Sequence, residues 1–195
     1  MPVLTLLSGR LVLRDFHPTD EVDYVALRTG EQFSRLYPAD EVGPAASRYL
    51  LAMFIGWQVE PERSCWQLAI TLRDNGALIG SCGVRVLVPG EMSFGCELGE
   101  RYWRQGYALE AADCLLRFAA EQLGCQRVVT DTLEANHSAL MLAQRLGFIA
   151  EASTTPRTRI QWSVLAGHTP VQGLGLITKE HYANLQHHRR PSGLA

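Results

Sequence analysis

Two runs with β character, Cys65 to Leu72 and Leu78 to Val86, are separated only by a turn built on Asp74-Asn75-Gly76. Asn-Gly and Asp-Asn-Gly steps take up the left-handed backbone that a tight hairpin needs, so the two runs must be antiparallel neighbours. Pro89-Gly90 is a second turn, and the stretch from Met92 to Leu98 follows it as a third strand. At Ala108 the period changes. Ala108, Ala112, Leu115, Leu116, Ala119 and Leu123 fall on one helical face, and Gly124 supplies the C-terminal stop.

The flanking segments extend this nucleus. Arg10 to Phe16 alternates apolar and polar residues and is expected to be a strand, with His17-Pro18-Thr19-Asp20 turning into a helix capped by Thr19. Pro44 is placed to open a second helix running to about Gln58, with Tyr49, Leu50, Met53, Phe54 and Trp57 on one face. Val128 to Thr132 is a strand. Ser138 to Leu146 is a short helix closed by Gly147, and Phe148 begins another strand. Ile160, Trp162 and Val164 alternate, and His168-Thr169-Pro170 turns toward Val171 to Ile177. Thr178 caps a last helix through Leu185. Strands mixed with crossover helices predict one α+β domain on a largely antiparallel sheet, residues 1–186, with a polar tail over 187–195.

Composition bounds the function. The 195 residues carry a net charge of −2, with 47% hydrophobic and 19% charged residues, which suits one buried domain and gives no electrostatic case for nucleic acid. No run approaches the roughly 20 apolar residues of a membrane span, and the N-terminus lacks a signal-peptide pattern. The five cysteines form no C-x-x-C pair, so buried reduced thiols in a cytoplasmic protein are expected. The six histidines show no metal-ligand spacing, and no metal is expected.

The chemistry concentrates in Trp103-Arg104-Gln105-Gly106-Tyr107-Ala108, between the third hairpin strand and the long helix. Glycine there lets a ligand approach the backbone. The first amides of the helix have no intrahelical partners, and with the helix dipole they form an anion site that a pyrophosphate fits. Arg104 adds positive charge. No Walker lysine follows, and only one glycine is present, so neither a P-loop nor a dinucleotide fingerprint is at hand. Asn136-His137-Ser138-Ala139, leading to Leu146-Gly147-Phe148, follows thirty residues later; alone, Ser138 and Gly147 are explained by helix capping.

Together and in this order, these segments resemble the GNAT superfamily of N-acetyltransferases, in its ribosomal-protein (RimJ/RimL-like) branch. The resemblance includes Leu11-Val12-Leu13-Arg14 with Thr19-Asp20, Leu78-Ile79-Gly80-Ser81, Phe94-Gly95 with Leu98, Tyr102 to Ala111, and Asn136 to Phe148. It implies a splayed, mostly antiparallel sheet flanked by helices, with acetyl-CoA between the strands Met92–Leu98 and Val128–Thr132. The amides from Arg104 to Ala108, beside Trp103, would hold the pyrophosphate. The backbone of Glu97 and Leu98 would pair with the pantetheine arm, and Asn136 would bond near the thiol end. Dimers are common in the branch.

Two positions depart from the branch. Ala139 stands where a serine is usual, and Ser93 where many relatives carry a glutamate base. Glu97 shares a strand face with Ser93 and Gly95, which makes it the candidate base, relaying a proton through water ordered by Ser93. The alternative is a Glu97 that faces solvent or pairs with an arginine. No general acid is assigned. The implied reaction moves an acetyl group to a primary amine, either a protein N-terminal α-amino group or a small molecule such as a polyamine, antibiotic or amino acid. A non-catalytic acyl-CoA-binding module and a nucleotide-binding interaction domain are the competing classes.

Overall fold

The computed structural model describes residues 4–35, 37, 39–151 and 159–165. The Asn-Gly turn forms as its chemistry demands: Gly76 has φ +73°, and the Ala77 N–H donates to Asn75 Oδ1 at 3.0 Å. It joins β3 (Cys65–Leu72) to β4 (Leu78–Val88) as an antiparallel pair, and Gly90, at φ +82°, turns β4 into β5 (Glu91–Leu98). β2 (Leu11–Asp15) adds to the far side of β3. The sequence reading missed β1 (Thr5–Leu7), which pairs antiparallel with β2 through the turn at Ser8–Arg10. Three residues are too few for a periodic signal.

After β5 the chain crosses over through the long helix to β6 (Arg127–Leu133), which lies parallel to β5. β7 (Ile149–Ala150) and β8 (Arg159–Leu165) bring the sheet to eight strands among the described residues, in the order β1-β2-β3-β4-β5-β6-β8-β7. The expected α+β architecture is present, antiparallel everywhere except β5–β6. That parallel pair holds for three rungs only, Glu91 with Arg127, Met92 with Val128 and Ser93 with Val129. Beyond Ser93 the strands part, which gives the splay that the family resemblance implied.

Among the described residues five α-helices cover the two faces: α1 (Glu21–Leu27), α2 (Glu31–Ser34), α3 (Pro44–Gln58), α4 (Tyr107–Gln122) and α5 (His137–Arg145). Alternation along the strands sorts the core. Leu11, Leu13, Leu68 and Ile70 meet Ala111, Ala112, Leu115 and Ala119 of α4, while Phe16, Ala69 and Leu78 meet Tyr24, Leu27, Leu51 and Phe54 of α1 and α3. Small alanines on α4 let the helix lie close to the sheet. In α4 the buried face includes Ala111 and not the expected Leu116, which is half-buried. In α3 it is Ser47, Leu51 and Phe54, and Tyr49 is 68% exposed, because the helix is rotated from the expected stripe. The expected strand over 171–177, the last helix from Thr178, the polar tail and the turn at His168 lie outside the described residues.

The start of α1 corrects the expected Thr19 cap. A 3-10 turn, Pro18–Asp20, precedes the helix, and its cap is His17: the Thr19 N–H donates to His17 Nδ1, and the His17 N–H donates to Asp20 Oδ2 at 2.8 Å. Arg14 grips the same carboxylate with both terminal nitrogens, each at 2.8 Å. Burial alone would raise the Asp20 carboxyl, but the Arg14 guanidinium and the His17 N–H outweigh it and hold it below the usual range. A depressed carboxyl stabilises the fold fully above its unfolded value of about 3.9, and that contribution fades as pH falls through the folded value. Asp20→Asn is therefore expected to cost roughly 1 kcal/mol at pH 7. Urea melts of variant and wild type should converge as pH falls through the depressed value of the folded carboxyl.

Candidate functional site

Two backbone residues between β5 and α4 are left-handed, Arg104 at φ 59° and Gly106 at φ 80°. The first bond of α4 runs from the Glu110 N–H to the Gly106 carbonyl, at 3.1 Å. The amides of Tyr107, Ala108 and Leu109 therefore lie ahead of the helix's own acceptors, and none takes a backbone partner among the described residues. Arg104, Gln105 and Gly106 are exposed, so this end of the helix faces outward. Free donors, the positive end of a 16-residue helix and an adjacent arginine together fit a phosphate-bearing ligand.

The split sheet supplies the second part. Because β5 and β6 are parallel, both C-terminal ends sit at the open end of the split, and no rung of β6 covers β5 from Phe94 onward. A cleft of about 500 Å³ opens there, lined by Tyr37, Gly95, Cys96, Asn136, Ala139 and Phe148, among others. Asn136 is the N-cap of α5, and its Oδ1 accepts from the Ala139 N–H at 3.1 Å. This replaces the cap expected from Ser138 and leaves the Asn136 amide nitrogen as that side chain's donor. Leu98 and Trp103 bond to each other: the Trp103 indole N–H donates to the Leu98 carbonyl at 2.7 Å, folding the loop back onto the strand. Burial pushes the Cys96 thiol up to about 12, with the Glu97 carboxylate adding to the shift. At neutral pH the group is a protonated thiol, not a nucleophile.

Glu97 faces the opposite side of β5, toward α1. Its Oε1 accepts from the Tyr24 hydroxyl at 2.7 Å and from the Ser81 hydroxyl at 2.9 Å, and its Oε2 is ion-paired with Arg28. Ser81 is itself held by the Gln67 amide at 2.9 Å. Arg28 is 3% exposed, donates to the Glu41 carbonyl at 3.1 Å, and lies beside the rings of Phe33 and Tyr37. Burial works against the Arg28 charge, but the Glu97 carboxylate more than compensates and raises its pKa. Burial and the same carboxylate raise the Tyr24 phenol well above its ordinary value, so that hydroxyl remains a donor. Of the two alternatives for Glu97, arginine pairing is the one the structure contains.

Asn136 thus lines the cleft, while Trp103 folds back onto Leu98 at the end of β5 and Tyr107 and Ala108 open α4. Ser93 lies on the last rung, at the closed end. Glu97 is four residues further along the strand, roughly 13 Å away, too far for one water to link them as expected. Tyr24, Arg28 and Ser81 were missed. Tyr24 and Arg28 stand one helical turn apart, but nothing in that spacing names a partner 69 residues later. Breaking a buried ion pair from one side strands a charge, so Arg28→Ala is expected to cost about 3–5 kcal/mol. Adding Glu97→Gln should recover part of that loss in urea melts. A cost below 1 kcal/mol would contradict the assignment.

Comparison with known proteins accords with this geometry. The family model described as an acetyltransferase (GNAT) domain matches residues 10–149. The uncharacterized N-acetyltransferase p20 of Bacillus licheniformis is 24% identical over 152 residues, 75% of this chain and 83% of that protein. Among solved structures, Mycobacterium smegmatis RimJ in complex with CoA-disulfide superimposes with a TM-score of 0.68 at 15% identity, covering 84% of this chain and 87% of that one. The ribosomal-protein-S5-alanine acetyltransferase of Vibrio fischeri gives 0.68 at 13% identity, covering 84% and 97%. The split sheet, the open helix end beyond it and the matched domain agree: this chain belongs to the GNAT family and is an acetyl-CoA-dependent acetyltransferase.

Proposed function

We propose that the acceptor is a protein N-terminal α-amino group. The observation that carries this reading is the state of Glu97, whose carboxylate is engaged by Tyr24, Ser81 and Arg28. Protonating it would leave the buried Arg28 guanidinium without its counter-charge, which disfavours its taking a proton from an amine. An α-amine, with a pKa near 7.7–8.0, is already partly neutral at physiological pH, whereas a lysine or polyamine nitrogen near 10.4 is almost wholly protonated. A site without a readily available base favours the first class. The ribosomal-protein acetyltransferase among the similar structures supports the same direction.

In this reading the amides of Tyr107, Ala108 and Leu109, with Arg104, bind the pyrophosphate. The unpaired edge of β5 from Phe94 to Leu98 takes the pantetheine arm by β-like pairing, and the Asn136 amide nitrogen bonds near the thiol end. Acetyl-CoA supplies an activated acetyl group as its thioester. The amine nitrogen forms a bond to the acetyl carbon, the carbon–sulfur bond breaks, and the amine proton leaves to water while the thiolate is reprotonated. With Cys96 held as a thiol, the acetyl group passes directly and not through an enzyme cysteine. Glu97 keeps Arg28, and through it the Glu41 carbonyl, in place beside the cleft. Ser93 closes the bottom of the split.

An acceptor panel tests the proposal: a peptide with a free N-terminus, the same peptide blocked at the N-terminus but carrying lysine, and spermidine. The free N-terminus should be preferred by at least about tenfold in kcat/KM at pH 7, with the gap narrowing as pH rises. Preference for spermidine would point to a small-molecule acceptor, and CoA binding without turnover of any amine would sink the proposal. Cys96→Ala should retain kcat within about threefold, since direct transfer asks nothing of the thiolate. Glu97→Gln separates base from anchor. Loss of a base would lower kcat/KM by about 100-fold or more and remove the acidic limb of its pH profile. Loss of an anchor leaves that limb in place.

A further inference from the structure

We infer that Arg10, in the β1–β2 turn, is a positioning residue for acetyl-CoA binding: it holds the loop from Arg104 to Tyr107 in the shape that presents the helix amides. This rests on the reading of that loop as the pyrophosphate site.

The loop needs such a holder. Arg104 is left-handed although it carries a Cβ, a conformation disfavoured for any residue but glycine, and one that persists only where surroundings impose it. Gln105 stands between Arg104 and the left-handed Gly106, and its carbonyl accepts from Arg10 Nη1 at 3.0 Å. The same guanidinium lies over the Tyr107 ring, with Cζ 4.4 Å from the centroid. Arg10 therefore grips the loop on both sides of Gly106.

Arg10 is in turn fixed from two directions. Glu110, one turn into α4, accepts from the Arg10 N–H at 2.6 Å, from Arg10 Nε at 2.7 Å and from the Ser8 hydroxyl at 2.8 Å. Burial alone would raise the Glu110 carboxyl, but these three bonds hold it below the ordinary range, so it is a full anion at neutral pH. On the other side the Arg73 N–H donates to the Arg10 carbonyl at 2.9 Å, and Arg73 Nη1 donates to the Ser8 carbonyl at 2.8 Å. The β1–β2 turn is thereby bracketed between the β3–β4 hairpin and the first turn of α4. Its one outward projection, the Arg10 side chain, ends against the loop.

The contacts are directional: Nε to Glu110, Nη1 to Gln105, and the flat face to Tyr107. A lysine ammonium would keep the charge but could not make all three. The alternative, a guanidinium that attracts phosphate by charge alone, predicts the reverse. Under it Lys would substitute well, and removing the Glu110 charge would tighten binding.

Calorimetric titration with CoA, and KM for acetyl-CoA at saturating acceptor, separate these ideas in wild type, Arg10→Ala, Arg10→Lys and Glu110→Gln. All three variants are expected to weaken CoA binding by about tenfold. KM for acetyl-CoA should rise in parallel, and kcat at saturation should stay within about threefold. The Arg10 side chain is half exposed, so its loss leaves no core cavity, and far-UV spectra should match wild type. A CoA affinity unchanged in Arg10→Ala, full rescue by Arg10→Lys, or tighter binding by Glu110→Gln would each overturn the inference. If the wild-type protein itself fails to bind CoA, the pyrophosphate reading falls and takes this inference with it. Wild-type binding with indifferent variants removes this inference alone.

Discussion

Three rungs of parallel pairing between β5 and β6, and their end at Ser93, organise the rest of the molecule. Had the ladder continued, the β6-facing edge of β5 would be consumed by backbone hydrogen bonds, and no cleft would open beside Gly95 and Cys96. Because it stops, the sheet keeps an unsatisfied inner edge, normally a liability, in a place where α5 and the loop after α2 flank it. The parallel arrangement also puts both strand ends on one side.

Each face of the sheet then contributes something different. The α4 face is apolar and closely packed, with Ala111, Ala112, Leu115 and Ala119 fully buried, and it sets the position of the helix end proposed to meet the phosphate. The α1 face carries a buried polar chain from Gln67 through Ser81 and Glu97 to Tyr24 and Arg28. Such a chain is stable only when its donors and acceptors are nearly all matched, and it reaches the cleft wall through the Glu41 carbonyl. This network makes the α1 side of β5 rigid, while the edge of β5 beyond Ser93 is left uncovered by β6.

Much of the fold was legible before the structure. Asn75-Gly76 and Gly90 require positive φ, so the β3–β4–β5 meander followed from local chemistry, and the shift to a helical period located α4 within a residue. The loop from Arg104 to Ala108 was legible for the same reason: helix ends leave amides without partners whatever the tertiary context. What failed were readings that depended on distant partners. Thr19 looked like a cap, but Asp20 could bond to both Arg14 and the His17 N–H, and the 3-10 turn followed. Phe54 of the expected α3 stripe is buried, but in place of Tyr49 the sheet surface favoured Leu51.

The amino-acid sequence by itself determined the turns, the strand and helix periods, the helix end with its unpartnered amides and the family, because each is set by contacts within a few residues or by an ordered set of short motifs. Only the tertiary structure decided which groups are engaged and which are free. Glu97 is matched to Arg28 across 69 residues, and Arg10 reaches Gln105 across 95. The physical reason is one of range. A side chain's hydrogen-bonding state depends on what the folded sheet places within about 3 Å of it, and residue spacing along a chain carries no such distance.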